Sequence, residues 1–357
     1  MRTVTASTAH AGRRQPSPPW IPGQLPGGVP LVAWWPPGAP PEPPGEFAAT
    51  PDVALLAMAA ADLAAISLPG TTESTTALRW SRRALAGLVD GAYHPGWRIR
   101  GLAALTGPGL APGVRGRAEL ALARRLKDFS AAADGASLGE TAHLVLALCD
   151  LPGETAWRAG LARLAAARRA CRAPCWPWFA DHLPGGGIRL PHAMLVAAHA
   201  VHDCELTTQA LESLDWFLRR SGLGNVDGVL ALPSARGERA IDVADVVLAL
   251  VDAQRITGRS RYGRLAHRAL AWFAGVNRYG LPVYDARTGR CIDRIGPGAS
   301  THSAGAWLAY RAAVRAVCDA CLASSEVTEA DPALTSPGPT NPGARRRPVP
   351  DGLATAA

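Results

Sequence analysis

An all-α chain is predicted from three observations. Between residues 51 and 322 apolar residues recur at helical spacing in ten segments, helix breakers stand between those segments, and period-two alternation is short and rare. The predicted helices are 52–66, 74–90, 116–130, 138–150, 154–172, 189–203, 206–220, 240–257, 261–275 and 302–322. Pro69-Gly70 ends the first, and Gly107-Pro108-Gly109 stands ahead of the third. Pro152-Gly153 divides the fourth from the fifth, and Gly185-Gly186-Gly187 precedes the sixth. Gly222 and Gly224 follow the seventh, Gly258 parts the eighth from the ninth, and Gly296-Pro297-Gly298 precedes the last. Val229 to Leu232 and Leu281 to Tyr284 are read as short strands inside loops.

The two ends differ from this middle. Residues 1–50 hold twelve prolines between Pro16 and Pro44, with Trp20, Trp34 and Trp35 among them. Proline removes a backbone donor and disfavours helix, so this leader is expected to be extended or disordered, with the tryptophans available to dock it. Residues 323–357 carry six prolines and the run Arg345-Arg346-Arg347, and read as a disordered tail. The domain assignment is therefore a leader over 1–50, a helical domain over 51–322 and a tail over 323–357.

Composition excludes several classes. With 48% hydrophobic residues and a mean hydropathy of +0.04, a wholly disordered chain is ruled out. The net charge is +8, yet Lys127 is the only lysine. An almost all-arginine basic set beside abundant Ala, Gly and Pro reads as GC-rich coding bias. The arginines are scattered and not interleaved with aromatics in one stripe, so no nucleic-acid partner is expected. The first fourteen residues lack the apolar core of an export signal. The longest apolar run, Val53 to Ile66, contains Asp62 and is shorter than the roughly 20 residues of a membrane span. Seven cysteines, an odd number, argue against a disulfide framework. A cytoplasmic location without membrane insertion is the expectation.

An internal repeat organises the helices. Leu211-Glu-Ser-Leu214-Asp-Trp216-Phe217 is echoed 56 residues later by His267-Arg-Ala-Leu270-Ala-Trp272-Phe273, and Trp178-Phe179 is a third such pair. Each copy closes the second helix of a pair and leads into a glycine-containing loop. Stacked helical hairpins form an open solenoid or a closed toroid, and long loops after each second helix favour the toroid.

From about 176 to 322 the chain resembles the six-hairpin glycosidase superfamily, and within it the helical-toroid domain attached to bacterial glycosyltransferases. Three stretches carry the likeness. Trp176-Pro-Trp178-Phe179-Ala180-Asp181-His182-Leu183 through Arg189-Leu190-Pro191 is similar to a family stretch W-x-W-F-E-D-x-L…N-A-R-L-P. Glu238-Arg-Ala-Ile-Asp242 runs into Val251-Asp252-Ala253 and Thr257-Gly258. Trp272-Phe273 through Asn277 continues to Gly280-Leu281-Pro282-Val283-Tyr284-Asp285, Thr288-Gly289 and Cys291. The glycosyltransferase domain itself is absent. Four departures matter: Ala180 replaces a Glu, Gly185-Gly186-Gly187 replaces Tyr-Asp-Asn, Asp242 alone survives of a Gln-Gln-Pro-acid run, and His302 stands in place of a late Glu.

The resemblance implies a helical-hairpin (α/α) toroid associated with carbohydrate. Glycoside hydrolysis needs two carboxyl groups about 5 to 9.5 Å apart across one bond. The candidate pair is Asp181 and Asp242, with His302 as an additional acid or base. Trp176, Trp178 and Tyr284 offer ring faces to a sugar, and Arg189 and Asp285 are the further candidate binding residues. Each also has a plainer reading: Asp181 and Asp285 as turn residues, Asp242 as a first-turn acid, the tryptophans as core.

No metal or cofactor is expected. Cys318 and Cys321 share one face of an Ala-rich helix, and His192, His199 and His202 lack a nearby acid or cysteine run. No nucleotide or hydrolase-elbow motif is present. The resulting expectation is a catalytically degenerate, carbohydrate-associated protein that binds a glycan or partners a glycan-synthesising enzyme. The alternatives are an active hydrolase or epimerase using Asp181 and Asp242, and a helical scaffold for a protein partner.

Overall fold

The computed structural model describes residues 24–25, 29–30, 50–90, 94–131, 136–149, 151, 155–173, 175–225, 228–233, 237–285, 290–297 and 302–329. Most of the leader over 1–50 and all of the tail beyond 329 lie outside the described residues. The chain divides into two units, Met1–Ala320 and Cys321–Ala357.

The fold is all-α. Eleven helices follow one another among the described residues: α1 (Thr50–Ile66), α2 (Thr72–Asp90), α3 (Pro95–Ala104), α4 (Pro112–Ala131), α5 (Leu138–Leu148), α6 (Ala156–Ala170), α7 (Arg189–Ala200), α8 (Cys204–Arg220), α9 (Ala240–Thr257), α10 (Ser260–Leu270) and α11 (Ala304–Glu329). A 3-10 turn over Ala271–Ala274 extends α10. Strands are two-residue ladders in loops, such as Glu238–Arg239 against Arg294–Ile295 and Tyr284–Asp285 against Arg290–Cys291. Val229 to Leu232, expected as a strand, forms no ladder; Ala231 instead donates to the Ser221 carbonyl, 2.8 Å. No helix among the described residues is long and apolar enough to cross a membrane.

Packing alternates along the chain. Each odd helix from α1 to α7 packs on the next odd helix, and α2, α4, α6, α8 and α10 each pack on the odd helix before them. Side-chain character follows this division. On α7 every residue from Leu190 to Ala198 is buried, and α9 is buried over most of its circumference. On α10 only Tyr262, Leu265, Ala266, Ala269 and Leu270 are buried, the single stripe of a helix with a wet outer face. Short connections such as 201–203 and 258–259 make each odd–even pair a hairpin. The odd helices therefore run in one direction, and their N-termini collect at one end.

Local signals explain the boundaries. Asp203 caps α8 by accepting from the Leu206 amide (2.9 Å), and Ser137 caps α5 by accepting from Glu140 (3.2 Å). Gly258, at φ 67°, closes α9. The Trp-Phe pairs close two hairpins: Trp216-Phe217 lies near the end of α8, and Trp272-Phe273 in the turn after α10.

Helix α3 is absent from the sequence reading. It contains Gly96 and Gly101, which weaken a helix, and the charged residues Arg98 and Arg100. Both arginines are buried. Arg98 donates through Nε to the Leu88 carbonyl (2.8 Å) and through Nη2 to the Leu88 and Val89 carbonyls (2.5 and 2.7 Å), satisfying the C-terminus of α2. Gly101 exists for close approach: a Cβ there would lie 2.9 Å from Ala54 Cα and 2.8 Å from the Leu88 side chain. Three helices are thus seated around a position that tolerates no side chain. Gly101→Ala is expected to destabilise the protein by about 1–3 kcal/mol, read as a lowered urea midpoint. An unchanged midpoint would show that α1 and α3 have room to move apart.

Candidate functional site

The end where the odd helices begin carries the polar chemistry. Arg189, the first residue of α7, reaches α9, whose acids Asp242 and Asp245 stand one turn apart on the same face. Arg189 Nε and Nη2 both meet Asp245 Oδ2 at 2.5 Å, and Nη2 meets Asp242 Oδ1 at 3.1 Å. Arg100, from α3, lies 3.8 Å from Asp245 Oδ1. These side chains are 5–13% exposed, so two cations and two carboxylates are withdrawn from water together.

Aromatic rings complete the cluster. The guanidinium carbons of Arg100 and Arg189 sit 5.6 and 5.3 Å from the Trp97 ring centroid. The His143 ring, on α5, packs 4.2 Å from the same indole. A second polar contact runs parallel to the first: His192 on α7 meets Asp252 on α9 at 2.7 Å, and Arg255 meets the other oxygen of Asp252 at 3.1 Å.

The electrostatics follow from burial and pairing. Burial opposes the Arg189 charge, but Asp245 and Asp242 outweigh it and hold the guanidinium above its ordinary range. Burial pushes the Asp242 carboxyl up, against the pull of Arg189 and with the help of the Asp245 charge. Burial, together with the Arg189 and Arg100 charges, pushes His143 well below the usual imidazole range and keeps it neutral. Asp252 is held low: burial raises it, but the bonds from His192 and Arg255 prevail.

The glycine run covers this network. Gly186 adopts φ 69°, and a Cβ there would strike the Arg189 guanidinium and lie 3.0 Å from Asp242 Oδ1. The loop therefore presses backbone onto the ion pair. A narrow cleft remains beneath it, lined by Gly185, Gly186, Glu238, Arg239 and Asp242 among others, with room for about one water molecule. Glu238 is fully buried and held by the Trp272 indole (2.6 Å), the Leu232 amide (3.1 Å) and Arg278 (2.8 Å).

The residues singled out from sequence fall in different places. Arg189 and Asp242 are bonded to each other. Asp181 lies outside their network, with its side chain 94% exposed and bonded to His182 at 2.7 Å. His302 is exposed, and its backbone pairs with Ile292. Trp178 is wholly buried against Phe179, Trp216 and Phe217, with centroids 5.3–5.9 Å away. Trp176 is half-buried, its indole donating to the Ala180 carbonyl at 2.7 Å. Tyr284 stacks on Tyr310 at 4.4 Å, and Asp285 is exposed at the end of its ladder. No group of three or more His, Cys, Asp or Glu residues able to hold a metal occurs among the described residues.

Sequence reasoning did not identify Arg100, Trp97, His143 or Asp245. Asp242, Asp245 and Asp252 share one face of an otherwise apolar helix, and Arg189 and His192 share one face of another; that matching pattern was the available signal. Asp52, at the start of α1, was also passed over. It lies against Gly305 of α11, and burial, with Asp293 nearby and Arg239 opposing, pushes its carboxyl up to about 6.

No family model and no curated protein matches this sequence.

Two outcomes are expected. Asp245→Ala leaves buried arginines unpaired and should cost about 3–5 kcal/mol in urea unfolding, whereas Asp181→Ala should change the midpoint little. For Asp52 the folded pKa of about 6 exceeds the model-compound value of 3.8, so its contribution is greatest below pH 3.8 and is lost as pH rises through 6. Asp52→Asn should therefore stabilise the protein relative to the parent at pH 7.5 but not at pH 4, in paired urea titrations. Equal shifts at both pH values would mean that Asp52 is not perturbed by its setting.

Proposed function

We propose that this chain is a helical-hairpin toroid of the six-hairpin glycosidase type that has exchanged catalysis for an internal ion-pair network. Its role is as a carbohydrate-associated partner of a glycan-building enzyme. The toroid reading is supported by the alternation of enclosed odd helices with outer even helices. It is also supported by contacts of the first hairpin with the last helix: Asp52 of α1 lies at Gly305 of α11, and Trp80 of α2 meets Trp307 of α11 edge-on at 6.2 Å.

One observation carries the non-catalytic reading. Asp242, the acid retained from the family stretch, is bonded to Arg189 beneath Gly186. A glycosidase needs one carboxylic acid that gives up a proton and one carboxylate that attacks or activates water. A carboxylate clamped by an arginine is poorly disposed to attack or to activate water, and Asp181, the other candidate acid, stands in solvent outside the network. The cleft beside it has no space for a pyranose, so any glycan contact falls on its rim. That narrowness also favours a second reading, a helical scaffold whose partner is a protein.

The test is a panel of chromogenic glycosides with the parent and Asp242→Asn, alongside a glycan array. No turnover by either protein, with glycan retained on the array, is the expected result. Turnover by the parent that disappears in Asp242→Asn, with the fold intact, restores the hydrolase reading. Silence on both assays favours the scaffold.

A further inference from the structure

The outer helices α2 and α4 carry an uneven distribution of charge. On α4 the acids are spent within the helix: Glu119 pairs with Arg115 at 3.9 Å and Asp128 with Arg125 at 3.6 Å. What remains on its outward stripe is Arg117, Arg124 and Lys127, all exposed, at spacings of seven and three. On α2 the acids Glu73 and Asp90 stand at the two ends, and Arg82 is exposed between them. The two helices are neighbours, since Arg125 donates to the Val89 carbonyl at 3.0 Å. Coding bias explains arginine in place of lysine. It does not explain why α4 carries five basic residues against two acids while α8, another outer helix, carries Glu205, Glu212 and Asp215 against Arg219 and Arg220.

One apolar side chain stands among these cations, and others are exposed on the neighbouring helices. Leu120, 56% exposed, lies between Arg117 and Arg124 on the α4 stripe, and Val89 is 41% exposed on α2. Ile66 and Leu68, at the end of α1 and in the turn to α2, are 52% and 73% exposed. These four are most of the large apolar side chains that the described residues expose; the others are Val276 and Leu281. Among the described residues no exposed aromatic accompanies them, and so no stacking platform of the kind single-stranded nucleic acid uses. Cations with aliphatic side chains among or near them match an interface of anionic headgroups over acyl chains.

We propose that the α2–α4 face docks peripherally on an anionic lipid bilayer, with Arg82, Arg117, Arg124 and Lys127 over the headgroups and Leu120 at the acyl boundary. No helix spans the bilayer in this arrangement, and the enclosed polar network is not involved. The surface thus operates independently of the function proposed above.

The experiment is flotation of the full chain with phosphatidylcholine vesicles, with and without 30% phosphatidylglycerol. The protein should float with the anionic vesicles alone and be released by high salt. Reversing three charges in the Arg117→Glu, Arg124→Glu, Lys127→Glu variant should lower partitioning about a hundredfold or more. The single variant Leu120→Ser should weaken binding at unchanged charge. Circular dichroism and a urea midpoint verify that these surface changes leave the fold intact, and Arg82→Glu provides an independent change on the other helix. A 20-base-pair duplex is run in parallel. Equal partitioning onto both vesicle types, retention of anionic binding by the triple variant, or a duplex bound as tightly as the vesicles with Leu120→Ser neutral in both, would each overturn the proposal.

Discussion

The contact on which the central region depends is the grip of Asp245 and Asp242 on Arg189. It joins α7 to α9, and through Arg100 it brings in α3. Two guanidiniums and two carboxylates are held almost out of water, where each is costly alone and tolerable only in company. Such a cluster does more to fix relative helix positions than to add net stability, because its attractions are offset by the hydration its members lose. It is also selective: a slip of one residue along α9 would carry both acids away from Arg189 and leave buried charge without a partner.

The neighbouring residues serve that cluster. Trp97 places a polarisable ring beside both arginines, and His143, neutral, fills the space next to the indole without adding a third charge. Gly186 has no side chain, and only for that reason can the loop lie on the ion pair. The glycine run that precedes α7 is thus a tightly seated cover. Its backbone lies where a longer side chain would otherwise stand, and only a narrow cleft is left beside the ion pair.

Much of the fold was legible in the sequence because helix periodicity and breakers act locally. Ten segments were placed, and the glycine and proline runs marked their limits. Helix α3 was not, because Gly101 exists for the close approach of Ala54 and Leu88 and Gly96 for that of Glu140 and His143, residues outside its own segment. His192 was set aside for want of an acid nearby, but its partner Asp252 lies sixty positions on and is brought to it by the packing of α7 on α9. Asp181 and Asp242 looked equivalent as loop–helix acids, yet one is bathed in solvent and the other is locked under Gly186.

By itself, then, the amino-acid order determined what each segment prefers: helical rise, apolar stripes, hairpin breaks, and a paucity of lysine and metal-ligand runs. Those are properties of a few consecutive residues, set by backbone sterics and side-chain polarity. Tertiary structure decided which charges meet. Whether a carboxylate is a solvated turn residue, a proton donor or an arginine's partner depends on the local dielectric and on the nearest opposite charge. For Asp242 and Asp245 that charge is Arg189, more than fifty positions away, and so the pairing appears only once the helices have packed.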